Sequence, residues 1–416
     1  MKKLILLIIS ILIIFNIHGE DSFFEKKVSF NSPKILGMGN TFVANANGLE
    51  SFEYNPAGLN GDGSFTIFNG NFNLISNFIQ LSDDLVASYN EANSTDKTSI
   101  ELGDLSYYLD PINRREIIGA LISQATTPYL NNKYANGLGY SSSISLGYAG
   151  NGFGFGLLFS LDSEVYGESL TVTQLDSILT TSLLLGYGIS LDLGIIGLEI
   201  GAAARPMYKI RTTTSLNPVV EYLLAENSGN TTFIEELDYK TGVGIGFDLG
   251  VKARFMGLTA GIALLDIFGT TINYSSSSYD DIINGDFLGS KSVDDIYITP
   301  TTLNLGLSFN PGLGSVSRVF NPTLSIDYSV PFITDGSLED YAMSSQFWRN
   351  LSLGAEVELF SLLSLRSGLN QGYFTAGFGL ELFILDVNFA IYSKELGARV
   401  GDRQQMGAAF EIGLRL

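Results

Sequence analysis

Side chains that could carry catalysis are scarce in this chain. Its 416 residues include no cysteine and one histidine, His18, which lies in an apolar N-terminal stretch. Serine–histidine and cysteine–histidine nucleophiles, histidine general bases and zinc held by histidine or cysteine all need these residue types. An enzyme would have to rely on pairs of carboxylates, and no pair has a diagnostic spacing. The sequence therefore predicts no enzyme, no catalytic residue, no metal ligand and no cofactor.

Residues 1–19 read as an export signal. Lys2 and Lys3 form a positive start, and residues 4–17 form an apolar run. A spanning helix is the alternative, but about 14 residues fall short of the roughly 20 that cross the hydrocarbon. We expect cleavage near Gly19, which places the mature chain outside the cytoplasm.

The mature chain is strongly acidic yet apolar. Removing residues 1–19 takes Lys2 and Lys3 from the 23 Lys and Arg, which leaves 21 against 43 Asp and Glu, a net charge of about −22. Nucleic-acid binding relies on clustered Lys and Arg, so we expect no nucleic-acid partner. The mean hydropathy is +0.22, with 46 Gly, 28 Phe and 20 Tyr, and no apolar run of about 18 residues follows the signal. This combination favours membrane-spanning strands over helices.

Apolar and polar residues alternate along much of the chain, most clearly from Tyr239 to Phe255. One face of this segment carries apolar residues such as Phe247, and the other carries glycines and charges such as Asp248 and Lys252. A side-chain period of two is typical of a strand with one buried or lipid-facing side. Residues 404–416 obey it as well, as expected of a strand that closes a barrel.

About fourteen such segments are predicted, most of the roughly 9 to 11 residues that suit a tilted spanning strand. Apart from a longer connection at 311–319 and a short one at 370–371, the connections between them alternate between short and long, as the periplasmic turns and external loops of outer-membrane barrels do. The predicted strands lie near 63–73, 137–149, 151–163, 176–193, 195–210, 239–255, 257–267, 299–310, 320–330, 348–360, 361–369, 372–381, 384–392 and 404–416.

The predicted fold is an all-β transmembrane antiparallel β-barrel of about 14 strands. It would lie in the outer membrane of a diderm bacterium, with both barrel termini in the periplasm and outer-membrane lipid around it. A soluble β-sandwich or propeller is the alternative, since it also alternates, but it explains neither the export signal nor the alternating connection lengths. The predicted domains are a signal at 1–19, an N-terminal hatch that plugs the lumen at 20–62 and a barrel at 63–416, with long external loops at 74–136, 211–238, 268–298 and 331–347.

Three stretches depart from the alternation of strands. Residues 75–92 place apolar side chains at roughly helical spacing, and 116–121 and 216–225 also favour short helices. In a channel for hydrophobic substrates, such helices could form a capture platform outside the barrel. The alternative is that they only pack on one another, and the sequence leaves both open.

Many charged residues fall on the predicted lumen face of the strands. They could line a path for solutes, or they could be paired, hydrated residues of a partly filled lumen, and we favour the second interpretation. These residues are Glu199, Arg205, Lys240, Asp248, Lys252, Arg254, Asp327, Glu356, Glu358, Arg366 and Asp386.

Two short motifs precede the first strand. Gly37-Met38-Gly39-Asn40 contains glycines that let the backbone fold tightly against a wall. In Asn55-Pro56-Ala57-Gly58, proline fixes φ inside a turn that the asparagine side chain can close by accepting from its own backbone. A nucleotide-binding reading of the first motif is weak, because the third glycine and a preceding parallel strand are missing. The segment therefore suits a compact plug.

These residues carry a resemblance to a known family. Residues 33–44, PKILGMGNTFVA, and residues 54–59, YNPAGL, resemble the N-terminal hatch of the FadL-type outer-membrane long-chain fatty-acid transporter superfamily. Residues 365–373 and 392–397 are similar to the last hairpins of its PorV-like branch. The chain departs from the family at Leu416, where a terminal aromatic residue is usual.

The resemblance implies passive uptake of hydrophobic small molecules such as long-chain fatty acids, gated by the hatch, with no energy source. It also implies an opening in a wall strand, for which strand three is the candidate because Gly152, Gly154 and Gly156 weaken its pairing. The alternative is that these glycines only make room for the plug. The implied gate elements are Gly37, Met38, Gly39, Asn40, Asn55, Pro56, Ala57 and Gly58.

A second function of a different class stays open. The PorV-like end suggests an outer-membrane scaffold or shuttle for a secreted protein partner. The channel predicts a continuous apolar groove beneath the first and second long loops, whereas the scaffold predicts external loops that bind a protein and a barrel that stays shut. A general porin ranks third, because a plug would throttle free diffusion.

Overall fold

The computed structural model describes residues 22–76, 86–87, 89–90, 138–166, 174–215, 235, 237–285, 295–332, 343–395, 400–401 and 404–416. The export signal at 1–19 and the helices expected at 116–121 and 216–225 lie outside the described residues. Of the helical stretch expected at 75–92, residues 86–87 and 89–90 are helical, and most of the rest also lies outside.

The strands form one closed antiparallel wall. Each wall strand pairs with its neighbour in the chain, and the last pairs with the first, as Phe410 does with Phe72. The strands are β1 Ser22–Phe24, β2 Ser64–Ile75, β3 Leu138–Gly150, β4 Phe153–Tyr166, β5 Gln174–Asp192, β6 Gly197–Ser215, β7 Tyr239–Phe255, β8 Leu258–Leu265, β9 Thr270–Ser277, β10 Asp295–Thr299, β11 Thr302–Phe309, β12 Phe320–Pro331, β13 Leu351–Leu359, β14 Leu363–Asn370, β15 Tyr373–Leu382, β16 Leu385–Glu395 and β17 Gln404–Arg415.

Two of the wall strands are built from two pieces each. Strands β8 and β9 both pair with β7 and together form the seventh wall strand, and β10 and β11 form the eighth. With β2–β7 and β12–β17, the wall has fourteen strands, so the predicted barrel of about 14 strands is confirmed.

Helices are short in the described residues, and none is long and apolar enough to cross a bilayer. They are α1 Pro33–Gly37, α2 Ser51–Tyr54, a 3-10 helix Pro56–Asn60, α3 Tyr279–Ile283, a second 3-10 helix Gly314–Arg318 and α4 Met343–Asn350.

The alternation of the sequence sorts side chains between the two faces of the wall. On β7, Phe247 and Leu249 are about half exposed on the outer face, whereas Asp248 and Lys252 are buried on the inner face. Exposed apolar residues recur at outward positions all around the barrel. Such a surface is stable in hydrocarbon, so the fold is that of a transmembrane β-barrel, the architecture of outer-membrane proteins.

The seventh wall strand is interrupted by a four-residue bulge, Asp266–Gly269. Asp266, Phe268 and Gly269 have φ values of 49°, 75° and 73°, which turn the backbone away from the extended conformation. The predicted external loop at 268–298 is therefore wrong for β9 and β10, which continue the wall. The bulge resets the side-chain alternation, and for this reason the period-two pattern stops at β8.

Both barrel termini lie at the end of the barrel that carries the short turns. Phe65 and Leu416 exchange main-chain hydrogen bonds of 2.8 Å there, as the first and last strands meet. Strand β1, which the alternation did not predict, pairs in parallel with β10 at the opposite end, next to a long connection. The chain between β1 and β2 therefore runs through the lumen from one end to the other.

An outward residue near the middle of a strand should tolerate no charge. We predict that Phe247→Arg lowers the free energy of unfolding of the barrel in lipid vesicles by about 2–4 kcal/mol, because the guanidinium would lie in hydrocarbon. Denaturant titration of the reconstituted protein measures this. Ser190→Arg, at an exposed position near a short turn, is the control, and an equal loss in both variants would contradict the lipid-facing assignment.

Candidate functional site

Residues 25–62, here called the N-terminal segment, pack against the inner face of the wall on opposite sides. Helix α1 contacts β14–β17, and the 3-10 helix Pro56–Asn60 contacts β3–β7. Phe30, Phe42, Phe52 and Leu59 of the segment are at most 2% exposed. The segment therefore occupies the lumen.

The Gly37–Asn40 motif meets the wall main chain to main chain. Gly39 has φ +66°, and a Cβ there would lie 2.3 Å from the carbonyl oxygen of Leu353. The wall also has a glycine at this contact, because a Cβ on Gly368 would lie 2.5 Å from the nitrogen of Gly39. Only glycine on both sides permits this approach.

The other residues of this motif have distinct contacts. Met38 is buried, and its carbonyl accepts a 2.8 Å hydrogen bond from the Thr41 hydroxyl. Asn40 has φ 65°, and its Oδ1 accepts a 2.7 Å hydrogen bond from the Tyr54 hydroxyl. Gly37 lies against Gly377 of β15: a Cβ on either glycine would be 3.1 Å from the Cα of the other.

The Asn55–Gly58 motif anchors the segment to the opposite wall. The Asn55 Oδ1 accepts from the main-chain nitrogen of Ala57 at 3.0 Å, so this side chain closes its own turn as expected. Its Nδ2 donates to the carbonyls of Val43 at 3.0 Å and Val251 at 3.3 Å, which links the segment to β7.

The remaining residues of this motif are placed by close packing. The carbonyl oxygen of Pro56 lies where a Cβ on Gly201 would come within 2.2 Å, so this wall position also needs glycine. Ala57 is fully buried. Gly58 packs inside the segment, where a Cβ would lie 2.3 Å from the Ser51 hydroxyl oxygen.

Asp327 of β12 clamps the middle of the segment. Its Oδ2 accepts from the main-chain nitrogens of Phe42 at 2.7 Å and Val43 at 2.8 Å, and the residue is only 3% exposed. The sequence identified Asp327 as a lumen residue through its inward position. Nothing local to it shows that its partners are nearly three hundred residues away.

Most of the other predicted lumen charges are paired on the wall. Arg205 donates to Asp248 through two nitrogens, at 2.6 and 3.0 Å, and to Asp266 at 2.9 Å, beside the bulge. Lys252 and Arg254 both form ion pairs with Glu199. The other ion pairs are Arg366–Glu356, Arg415–Asp386 and Lys240–Asp295. Glu358 accepts a hydrogen bond from the Asn321 side chain. The interpretation as paired wall residues is confirmed for these side chains.

A buried acid, Glu53, and a partly buried base, Lys27, hold two parts of the segment together. The Glu53 carboxylate accepts from the Ser29 hydroxyl at 2.6 Å and the Phe30 nitrogen at 2.8 Å, and the Lys27 amine donates to the Glu53 carbonyl. Burial raises the pKa of Glu53 above its ordinary value of 4.5, although Lys27 opposes the rise. Burial lowers the pKa of Lys27 in turn.

The third wall strand, β4, is continuously paired. Its register with β3 and β5 runs without a shift from Phe153, and Gly152 lies in the preceding two-residue turn, so its predicted place in the strand is wrong. A Cβ on Gly154 would lie 2.7 Å from Leu59, and one on Gly156 would lie 3.3 Å from Leu49. These contacts match the alternative that the glycines make room for the segment.

Two further features of the lumen were not predicted from the sequence. An apolar column runs along one side of the lumen, built from wall residues of β3–β6 and β9 and from the segment. A cavity of about 450 Å³ lies between residues 44–47 and the short-turn ends of β7 and β8. The column comprises Val28, Phe30, Leu49, Phe52, Leu59, Ala149, Leu158, Leu184, Ala203, Met207, Ile272 and Tyr274.

Comparison with protein-family models finds no match, and comparison with curated proteins finds none. Among solved structures, the chain is similar to the TodX deltaS2S3 mutant monoaromatic hydrocarbon channel (12% identity, 95% of this chain and 98% of that chain, TM-score 0.47). It is also similar to the toluene transporter TbuX of Ralstonia pickettii (14%, 92% and 97%, 0.47) and to a FadL homologue of Pseudomonas aeruginosa (10%, 95% and 99%, 0.39). Assignment to the class of transmembrane β-barrels rests on the strand pairing itself.

Adding a methyl group at Gly39 should loosen the segment. We predict that Gly39→Ala weakens docking of residues 25–62 by about 1–3 kcal/mol more than Gly312→Ala does, because only the first substitution overpacks a contact. Both glycines have positive φ, but a Cβ on Gly312 meets nothing within 4 Å. Hydrogen exchange of the segment amides measures docking, and equal protection in the two variants would count against the contact.

Docking of the segment should depend on pH through Glu53. The pKa of Glu53 is raised in the docked segment, so the docked state binds the proton more tightly than the undocked state does. The resulting stabilisation of the docked state is fully present below about pH 4.5, and it is lost as the pH rises through the raised pKa. In Glu53→Gln this part of the pH dependence should vanish. Hydrogen exchange of the segment from acid to neutral pH tests this, and identical profiles in both proteins would refute the assignment.

Proposed function

We propose that the protein is an outer-membrane channel for passive uptake of hydrophobic molecules, and that residues 20–62 are its hatch. The observation that carries the proposal is the apolar column, which follows one side of the lumen. Leu158, Leu184 and Met207 of the wall are buried against apolar side chains of the segment. An apolar molecule can replace the contacts that these side chains make with the segment.

The column also has a direction. At the short-turn end, Leu59 and Phe52 lie against Gly154 and Gly186, where added Cβ atoms would collide with them. At the other end, the column reaches Tyr274 on β9, near strand β1. A hydrophobic molecule that entered between the long connections and displaced the segment would therefore meet apolar side chains along one side of the lumen.

The segment has the properties of a movable plug. Its links to the wall are apolar packing, hydrogen bonds, ion pairs and glycine contacts, and the mature chain has no cysteine to form a disulfide between them. The contacts of the two motifs with opposite walls support a lumen that the segment closes, and such a lumen argues against a general porin. In this proposal the short turns and the barrel termini face the periplasm, as is usual for such barrels.

A disulfide lock tests the proposal. Asn45→Cys combined with Ser325→Cys places two thiols where a segment side chain and a wall side chain already meet, because the Asn45 Nδ2 donates to the Ser325 hydroxyl oxygen at 2.7 Å. We expect the oxidised double variant to block uptake of a fluorescent fatty acid into vesicles, and a reductant to restore it. Ser325→Cys alone is the control, treated in the same way.

Two other results would contradict the proposal in different ways. Uptake that persists in the oxidised double variant would show that the segment does not gate. Absence of both ligand binding and uptake in the reduced, folded barrel would contradict a channel for hydrophobic molecules.

A further inference from the structure

Apolar side chains lie exposed at the tips of the turns at the short-turn end of the barrel. Of the six turns at this end, all within the described residues, five carry exposed apolar residues, and only the Asn151–Gly152 turn is polar. Met256 is 81% exposed, Phe360 69% and Ile195 73%, and Phe383 is fully exposed. We call Leu193, Ile195, Met256, Val316, Phe360 and Phe383 the apolar rim.

On β5 and β7, the outward-facing apolar positions continue into the apolar rim. On β5 the outward positions Ile189 and Leu191 lead directly to Leu193 in the turn. On β7 the outward Phe255 is followed at once by Met256. The turn residues thus extend the surface that faces lipid. If they lay in water instead, a large apolar area would be exposed to solvent, which is unfavourable.

The opposite edge of the lipid-facing band is marked by aromatic residues. Outward-facing Tyr328 of β12 contacts Phe347, with ring centroids 5.7 Å apart, and Phe347 contacts Trp348 at 5.5 Å. Phe347 and Trp348, which belong to helix α4, are about half exposed. Tryptophan and tyrosine in such a cluster are typical of the membrane–water boundary.

The height of the lipid-facing band, measured along β12 from Tyr328, places its other edge at the apolar rim. Phe320 precedes Tyr328 by eight residues on β12, which at a rise of about 3.4 Å per residue and a tilt of about 40° gives roughly 20 Å along the membrane normal. The apolar band of such barrels is about 25 Å tall. Its lower edge therefore falls beyond Phe320, within the turn that carries Val316.

We propose that the apolar rim lies inside the lipid leaflet that surrounds the short-turn end, so that the turns are sunk among lipid headgroups and upper chains and do not project into water. The partner of this surface is the phospholipid monolayer. The cavity of about 450 Å³ beside Met256 and Leu258 then opens at the level of the headgroups. This inference stands whether or not the proposed uptake function is correct.

Single-cysteine spin labelling tests the depth of the rim, because the chain has no native cysteine. The mature protein carrying Ile195→Cys, Met256→Cys or Phe383→Cys is labelled and reconstituted in dioleoylphosphatidylcholine vesicles. Phe247→Cys is the mid-membrane control, and Asn284→Cys, exposed beside a long connection, is the aqueous control. Accessibility to oxygen relative to a water-soluble nickel chelate is measured at each label.

We expect the ratio of oxygen to nickel accessibility at all three rim labels to be severalfold above that of Asn284→Cys and below that of Phe247→Cys. Rim labels as accessible to nickel as Asn284→Cys would overturn the proposal. Labels shielded from both reagents would also overturn it, because a protein partner or a second copy would then cover the rim.

A measurement on the unmodified protein guards against variants that fail to fold. Trp348 is the single tryptophan, so its fluorescence reports one depth. We expect phospholipids brominated near the headgroup to quench it more than phospholipids brominated near the chain ends. The reverse order would overturn the proposal, because the band would no longer end at the rim.

Discussion

Main-chain contact between a plug and a wall is the constraint on which the rest of this structure depends. A barrel wall presents side chains to its lumen, so a second piece of backbone can reach the wall only where those side chains are missing. Gly39 meets Gly368 in this way on one side, and Pro56 meets Gly201 on the other. Once these contacts form, hydrogen bonds such as those from Phe42 and Val43 to Asp327 have fixed partners.

The lumen is consequently divided into two kinds of surface. On the first, wall glycines and buried polar groups such as Asp327 hold the N-terminal segment by its backbone, and these contacts occur on both sides of the lumen, at Gly368 of β14 and at Gly201 of β6. On the second, near β3–β6 and β9, apolar side chains of the wall face apolar side chains of the segment. The first surface specifies where the segment sits, because hydrogen bonds and close contacts are directional. The second is less specific, since apolar contacts can be exchanged for those of a ligand.

Much of this arrangement is local in the sequence, and that part was predictable. Alternation such as that from Tyr239 to Phe255 depends only on neighbouring residues, and it predicted the wall strands to within about five residues, except for the seventh, which continues through β9 to Ser277. The glycines of Gly37–Asn40 and the self-closing turn of Asn55 were recognised for the same reason. The bulge at Asp266–Gly269 was missed because it breaks the alternation on which the prediction relied.

Other features depend on partners far away in the chain. Asp327 reads as one lumen acid among many, and only the folded barrel brings it to the nitrogens of Phe42 and Val43. The pairing of β1 with β10 joins segments that are more than 270 residues apart. The apolar column was also hidden, because Leu158 and Leu184 sit at inward positions of strands that are apolar on both faces.

The central claim is that this column binds the hydrophobic ligand, and equilibrium binding to matched variants tests it most directly. Leu158 faces the lumen and is buried, whereas the adjacent Leu157 lies on the outer face of the same strand. If the account is right, Leu158→Asn weakens binding of a fluorescent fatty acid at least tenfold in detergent, and Leu157→Asn leaves it nearly unchanged. Equal affinities in both folded variants would contradict it.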